Sequence, residues 1–365
     1  MKGNVLKKFL CTCLVTAAAF AATTISASAC TTIYVGGDLV EEGTPFVART
    51  EDYGSDYNKL WFISESGKWK QGDHYVGCPE YGPFEWDFTH DSYRFTYFTN
   101  DIYYDGICPE CGEKADHYSY TEFGTNEKGV SVSATETLYG NEKVTEADPY
   151  RDTEWAEANK SERIGIEETD IPTIILAEAS SAREGVKLLL DIYENYGCVA
   201  ASGVFVCDKD EVWYVENCSG TQYVAIKLND NMIFLEPNMA VIGRVDLDDE
   251  NVIASKDLIA VAKKAGTFVG DEAKNIIDFR ASYARISEKM DQRMIDGLNY
   301  LNVAYKYDSD ALVTDNTKFT ISNLDASDKL VALYTNIKAD RKLDKDDVFG
   351  YYKLSSIGKA SNQEI

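Results

Sequence analysis

A cysteine, Cys30, stands directly behind the small-residue triplet Ala27-Ser28-Ala29 and directly ahead of Thr31-Thr32-Ile33-Tyr34-Val35. No other feature constrains the fold of this chain as strongly. The residues upstream have a basic start (Lys2, Lys7, Lys8), no acidic side chain, and an apolar centre from Phe9 to Ala22. With the A-x-A triplet, this is the layout of a secretory signal, residues 1–29, removed after Ala29. Threonines and serines interrupt the apolar run well short of a bilayer span, which argues against a permanent membrane helix. Cleavage there makes Cys30 the first residue of the mature chain, which is expected outside the cell or at its surface.

Two chemistries use a cysteine at that place. A lipoprotein alkylates the thiol, prefers leucine where this chain has Ala27, and continues into a polar tether. Here the chain continues into a β-branched and aromatic run that reads as a strand, so Cys30 enters the fold. The alternative, a lipid-anchored binding protein with Cys30 as the lipidation site, stays open on the motif alone.

The second constraint is the shortage of imidazole. The 365 residues include three histidines, His74, His90 and His117, all within one segment rich in aromatics, aspartate and cysteine. Cys-His or Ser-His-Asp catalysis needs an imidazole held against the nucleophile, and the rest of the chain has none to offer. An N-terminal residue carries its own base: an α-amine titrates at about 7.7–8.0, so part of it is neutral at physiological pH. It can take the thiol proton and later return it to a leaving group. A mature Cys30 would therefore hold nucleophile and general base in one residue.

Net charge is −25 and becomes more negative once the signal's three lysines are lost. That argues against nucleic acid and anionic membranes as partners and leaves a small substrate, with homo-oligomerisation open. Hydrophobic content of 44% and 24 tyrosines suit a β-rich globular core. The length allows one large domain or two small ones. Strands are expected at Thr31–Val35, Pro45–Thr50, Thr121–Gly124, Val130–Thr137, Ala201–Val206, Val212–Val215, Gln222–Leu228 and Met232–Leu235. Residues 65–118 read as an irregular insertion. Ser181-Ala182-Arg183-Glu184 is a capping box opening a helix that Gly197 ends, and further helices are expected over Ser255–Ala265 and Lys274–Met294. This pattern predicts an α+β fold with antiparallel sheets.

Cys30-Thr31-Thr32-Ile33 with Val35-Gly36, followed by Ala48-Arg49-Thr50-Glu51-Asp52, resembles the start of dipeptidase A-type cysteine peptidases. These are N-terminal nucleophile (Ntn) hydrolases related to penicillin V acylase and bile-salt hydrolase. Asn126-Glu127-Lys128-Gly129-Val130, Ser133-Ala134-Thr135-Glu136-Thr137, Ala182-Arg183-Glu184, Trp213-Tyr214-Val215-Glu216, Ile242-Gly243 and Val245-Asp246 continue the resemblance in order. It is well carried from Cys30 to Leu258 and thinner beyond. It implies a single domain over 30–365 built as a four-layer αββα sandwich, with the cysteine at the end of a central strand. It also implies site roles. Cys30 matches the nucleophile, and Arg49 and Asp52 match a pair beside it, the arginine favouring thiolate and the carboxylate holding the α-amine. Asn238 matches an oxyanion-stabilising amide. Arg293 matches a late arginine, with Arg285 competing for that place. The implied activity is thioester-mediated hydrolysis of short peptides, dipeptides foremost, without a cofactor. An acylase-type amidase is the alternative within the same machinery.

Three features depart from the family pattern. Cys78, Cys108-Pro109-Glu110-Cys111-Gly112 and His117 suit either a zinc knuckle or disulfides. Cys198, Cys207 and Cys218 read as core residues on or beside strands. The chain stops at Ser361-Asn362-Gln363-Glu364-Ile365, where the resembling proteins continue, so a truncated fragment is expected.

Overall fold

The run after Cys30 is a strand, as its β-branched residues require. The computed structural model describes residues 30–51, 59–77, 84–100, 121–135, 138–285, 291–301 and 341–356. The expected leader, Asp52, Cys78, Cys108, Cys111 and His117 lie outside these residues.

In chain order the strands are β1 (Thr31–Val35), β2 (Phe46–Thr50), β3 (Lys59–Ser64), β4 (His74–Val76), β5 (Glu85–Asp87), β6 (Phe95–Asn100), β7 (Phe123–Asn126), β8 (Ser131–Thr135), β9 (Gly203–Cys207), β10 (Val212–Asn217), β11 (Tyr223–Lys227), β12 (Ile233–Glu236), β13 (Arg244–Asp246), β14 (Val252–Ala254), β15 (Gly270–Asp271) and β16 (Ile276–Asp278). The helices are α1 (Glu142–Ala147), α2 (Thr153–Asn159), α3 (Ile171–Glu178), α4 (Ala182–Asn195), α5 (Leu258–Ala265), α6 (Phe279–Tyr283), α7 (Gln292–Tyr300) and α8 (Lys345–Tyr352).

Two antiparallel sheets organise them. One has the order β14-β11-β10-β9-β8-β7-β6-β3 and the other β12-β1-β2. Successive side chains of a strand point to opposite faces, so each sheet buries two sets. On the large sheet, Val132, Ala134, Val204, Val206, Trp213 and Val215 face α3 and α4, packing with Ile174, Ile175, Val186 and Leu189. The opposite set, including Phe205 and Tyr214, meets Phe234 of β12 at ring-centroid distances of 5.6 and 4.7 Å. Behind the small sheet, α7 packs on β12 and α8 on β2. The approach is close: a Cβ at Gly297 in α7 would run into the Tyr351 ring of α8. Helices, large sheet, small sheet, helices is the expected αββα order.

Local signals hold where they are local. Ser181 caps α4 by accepting from Glu184 N at 3.2 Å. The Glu184 carboxylate reaches Ser180 N at 2.9 Å, so the box closes one residue early. Two expectations need correction. The segment read as irregular contributes the β4–β5 hairpin and β6, and β6 pairs with both β3 and β7 inside the large sheet. The helix expected over Lys274–Met294 is not continuous. Asn275 takes the left-handed conformation (φ 54°), Ile276 and Ile277 pair with β13 and β15, and Asp278 then caps the short α6. Sheet pairing outweighs helix propensity there, because Ile277 becomes fully buried.

Candidate active site

Cys30 precedes β1 and shares the face of Thr32 and Tyr34 by alternation. Thr32 stands opposite Arg49 in β2, and Tyr34 opposite Val47. That register turns Arg49 into the gap between the sheets, onto the side Cys30 faces. The Arg49 Nη2 lies 3.7 Å from Cys30 Sγ. Its Nη1 donates to Ser133 Oγ at 3.1 Å, to Glu122 O at 3.3 Å and to Ala134 O. One guanidinium thus ties the nearly buried thiol to β8 of the other sheet and to Glu122, the residue ahead of β7. A cation beside a thiol favours the thiolate.

The cleft under Arg49 has a volume of about 490 Å³. Val47 and Ala48 line one wall, and Ser131, Ser133 and Phe205 line the other. Glu51, Glu122 and Phe123 stand at the Arg49 end.

A second arginine holds the other side of Cys30. Asp291 caps α7 by accepting from Arg293 N at 2.8 Å, and its carboxylate also grips Arg293 Nε and Nη2, each at 3.0 Å. Fixed in this way, Arg293 Nη1 donates to Cys30 O at 3.0 Å, Thr31 Oγ1 at 3.0 Å and Asn238 Oδ1 at 2.8 Å. Its Nη2 also donates to Pro237 O at 2.9 Å. Asn238 sits at φ 52°, a left-handed position that asparagine tolerates. With Oδ1 held by Arg293, the orientation of this amide is fixed. The loop behind it is pinned by buried Glu216, which accepts from Val241 N at 2.7 Å and Ile242 N at 3.1 Å. Burial pushes that carboxyl up to about 8 in spite of the two donors.

A third charged group completes the site. Lys59, the first residue of β3, forms ion pairs with both Glu51 and Glu122. Burial lowers the Lys59 ammonium and raises the Glu122 carboxyl, while their mutual attraction opposes both shifts. Arg49 links this triple to the thiol, since it contacts both the Glu122 backbone and Cys30 Sγ.

These residues lie inside a recognised sequence family. The family model described as Peptidase family C69 matches residues 29–329. The chain belongs to peptidase family C69. Among curated proteins, this C69 chain is 33% identical over 247 residues to a probable dipeptidase B of Streptococcus pyogenes, covering 67% of this chain and 44% of that protein. It is 32% identical over 262 residues to a probable dipeptidase of Salmonella dublin, covering 70% and 53%. The chain therefore spans about half the length of the curated relatives it matches. The solved penicillin V acylase of Agrobacterium tumefaciens aligns with TM-score 0.36 at 15% identity, covering 56% of this chain and 51% of that one.

Of the residues singled out in the C69 sequence, Cys30, Arg49, Asn238 and Arg293 converge on one site, and Asp52 lies outside the described residues. Arg285 stacks on Tyr139 at 4.3 Å, whereas Arg293 is the one of the two that contacts Cys30. His74 is engaged by Asp87 at 2.7 Å on the β4–β5 hairpin. His90 contacts Asp91 O at 2.7 Å and Glu178 O at 2.9 Å. The sequence reading missed Glu122 and Lys59, two common surface residue types that carry no local signal of a site. Cys198 and Cys218 are buried and Cys207 half-buried, and none is disulfide-bonded.

Proposed function

We propose that this chain is a secreted cysteine dipeptidase whose nucleophile is Cys30, freed as the N-terminal residue by removal of residues 1–29. The observation that carries the reading is the single guanidinium of Arg49, which contacts Cys30 Sγ while lining the cleft between the sheets. In the uncleaved chain the Cys30 nitrogen is an amide and has no basic lone pair. Cleavage turns it into an amine beside the thiol.

On this reading the thiolate attacks the scissile carbonyl, forming the C–S bond, and the α-amine takes the thiol proton. Negative charge develops on the carbonyl oxygen, and on this reading the Asn238 amide donates to it. Collapse breaks the C–N bond, and the ammonium returns its proton to the departing amine. Water then hydrolyses the thioester with the same amine as base. Arg293 keeps Cys30 and Asn238 in fixed relation, which lowers the reorganisation needed at each step.

The test joins intact mass with kinetics. A free cysteine at the mature N-terminus and turnover of unblocked dipeptides support the proposal. A diacylglycerol mass on Cys30 supports the anchor reading, and turnover confined to N-acyl amides supports an acylase. Full activity after acetylation of the Cys30 nitrogen would remove the α-amine from the mechanism.

A further inference from the structure

We infer that Glu122, assisted by Glu51, is the subsite for the substrate's free α-ammonium, so that this cleft selects unblocked peptides over N-acyl amides. The inference rests on the reading of Cys30 as nucleophile and goes beyond it by naming which end of the substrate is recognised and by what.

Three observations carry it. First, Glu51 and Glu122 line the same cleft as Arg49, whose guanidinium lies 3.7 Å from the thiol. In the first residue of a peptide, one carbon separates the scissile carbonyl from the α-nitrogen, about 2.5 Å away. A receptor for that nitrogen must therefore stand near the nucleophile, and Arg49 links the two: it contacts Cys30 Sγ and the Glu122 backbone, and it shares the cleft lining with the Glu122 side chain. Second, the place already holds a primary ammonium. Lys59 Nζ pairs with both carboxylates, so the geometry suits R–NH3⁺. Third, the partners differ in freedom. The Glu122 side chain is 6% exposed and the Lys59 side chain 36%. The carboxylate is fixed in the wall, whereas the lysine has room to withdraw toward solvent.

Lys59 and Arg49 together balance the two carboxylates, so an entering ammonium is accommodated when Lys59 swings out and leaves Glu122 and Glu51 to receive it. An N-acylated substrate would bring a neutral amide instead and strand a desolvated carboxylate against it. Lys59 then acts as a resident ammonium that balances the pair until substrate replaces it.

The experiment uses the mature full chain with alanyl-leucine and N-acetyl-alanyl-leucine. Wild type is expected to favour the unblocked peptide in kcat/KM by about 100-fold or more, and Glu122→Gln to collapse that ratio, since a site built for a polar group rejects an analogue lacking it by up to about 10⁴–10⁵. Glu51→Gln should reduce the ratio less. An unchanged ratio in Glu122→Gln, with both rates lowered together, would make Glu122 merely structural and overturn the inference. Lys59→Met keeps both carboxylates and guards against misfolding of the first variant. Its KM for alanyl-leucine should fall about threefold or more through lost competition. A rise would reassign Lys59 to the substrate carboxylate and overturn the resident-ammonium role. If neither peptide is turned over, Cys30→Ala is titrated with both by calorimetry. Tighter binding of the unblocked form by about tenfold or more upholds the subsite although the dipeptidase reading has failed. Equal binding, or none, overturns the subsite.

Discussion

At the scale of single residues, Cys30 and Arg49 separate by function. Cys30→Ser changes one atom at a nearly buried position. A hydroxyl is far less ionised than a thiol at neutral pH. We expect normal folding with kcat/KM lowered by about 1,000-fold or more, measured on correctly processed protein. Arg49 has two effects. On the proposed mechanism its positive charge disfavours the ammonium form of the α-amine and lowers that pKa. Arg49→Met removes the charge, the amine pKa rises, and the acidic limb of the kcat/KM profile moves to higher pH by about one unit. The same change leaves Ser133 Oγ and the carbonyls of Glu122 and Ala134 without this donor. Stability should therefore fall by about 1–3 kcal/mol in denaturant titrations. A stability loss with an unmoved limb would make Arg49 a strut between the sheets and nothing more.

At the scale of elements, two side chains do the joining. Asn126 ends β7, and its Oδ1 accepts from Lys128 N and Val130 N, each at 3.0 Å, shaping the turn into β8. Its Nδ2 donates to Leu176 O at 3.0 Å and Ala179 O at 2.7 Å, closing the C-terminus of α3. Asn126→Ala breaks the turn and the helix end together and should cost about 2–4 kcal/mol by chemical denaturation. Glu211, ahead of β10, accepts from Arg183 of α4 at 2.8 and 3.1 Å, from Trp213 Nε1 at 2.8 Å and from Lys227 of β11 at 3.2 Å. Its hydrogen bonds with Arg183, then Trp213 and Lys227, hold the carboxyl down at about 2, against an ordinary value of 4.5. A depressed carboxylate contributes its stability fully above the unfolded pKa and loses it as pH falls through the folded one. Glu211→Gln should therefore be less stable than wild type by about 1–2 kcal/mol at pH 7, a solvent-screened figure. That gap should shrink steadily between pH 4.5 and 2. A gap that stays constant down to pH 2 would mean that packing, not charge, is what the substitution removed.

At the scale of the whole molecule, the distance between the two sheets sets the cleft. Phe234 fills that space between Phe205 and Tyr214, one residue from the β12 position that pairs with Ile33. Phe234→Ala should cost about 3–5 kcal/mol. Because β12 leads into Pro237-Asn238, kcat should also fall, while KM changes less. Measuring both on protein held well below its Tm separates site geometry from unfolding. The acidic surface is a property of the same scale. Within a chain of net charge −25, the two arginines and one lysine of the site stand beside the carboxylates of Glu51, Glu122 and Asp291, so the charges there are largely paired.

What the sequence determined by itself is what nearest neighbours along the chain decide. It placed Cys30 at the head of a β-branched strand, capped α4 at Ser181 and pointed to the α+β class. Each depends on propensities and hydrogen bonds reaching only a few residues. The resemblance added Arg49, Asn238 and Arg293 as positions but not as a constellation. Only the tertiary structure joined Arg293 to Cys30, 263 residues apart, and set Arg285 aside on Tyr139. It also recruited β3 and β6 into the large sheet, broke the expected helix after Lys274, and brought Lys59 and Glu122 together next to Arg49. The reason is physical. A strand's partners and a charge's neighbours depend on which faces find enough apolar area to bury, and that choice is made between distant segments, where local pattern carries no information.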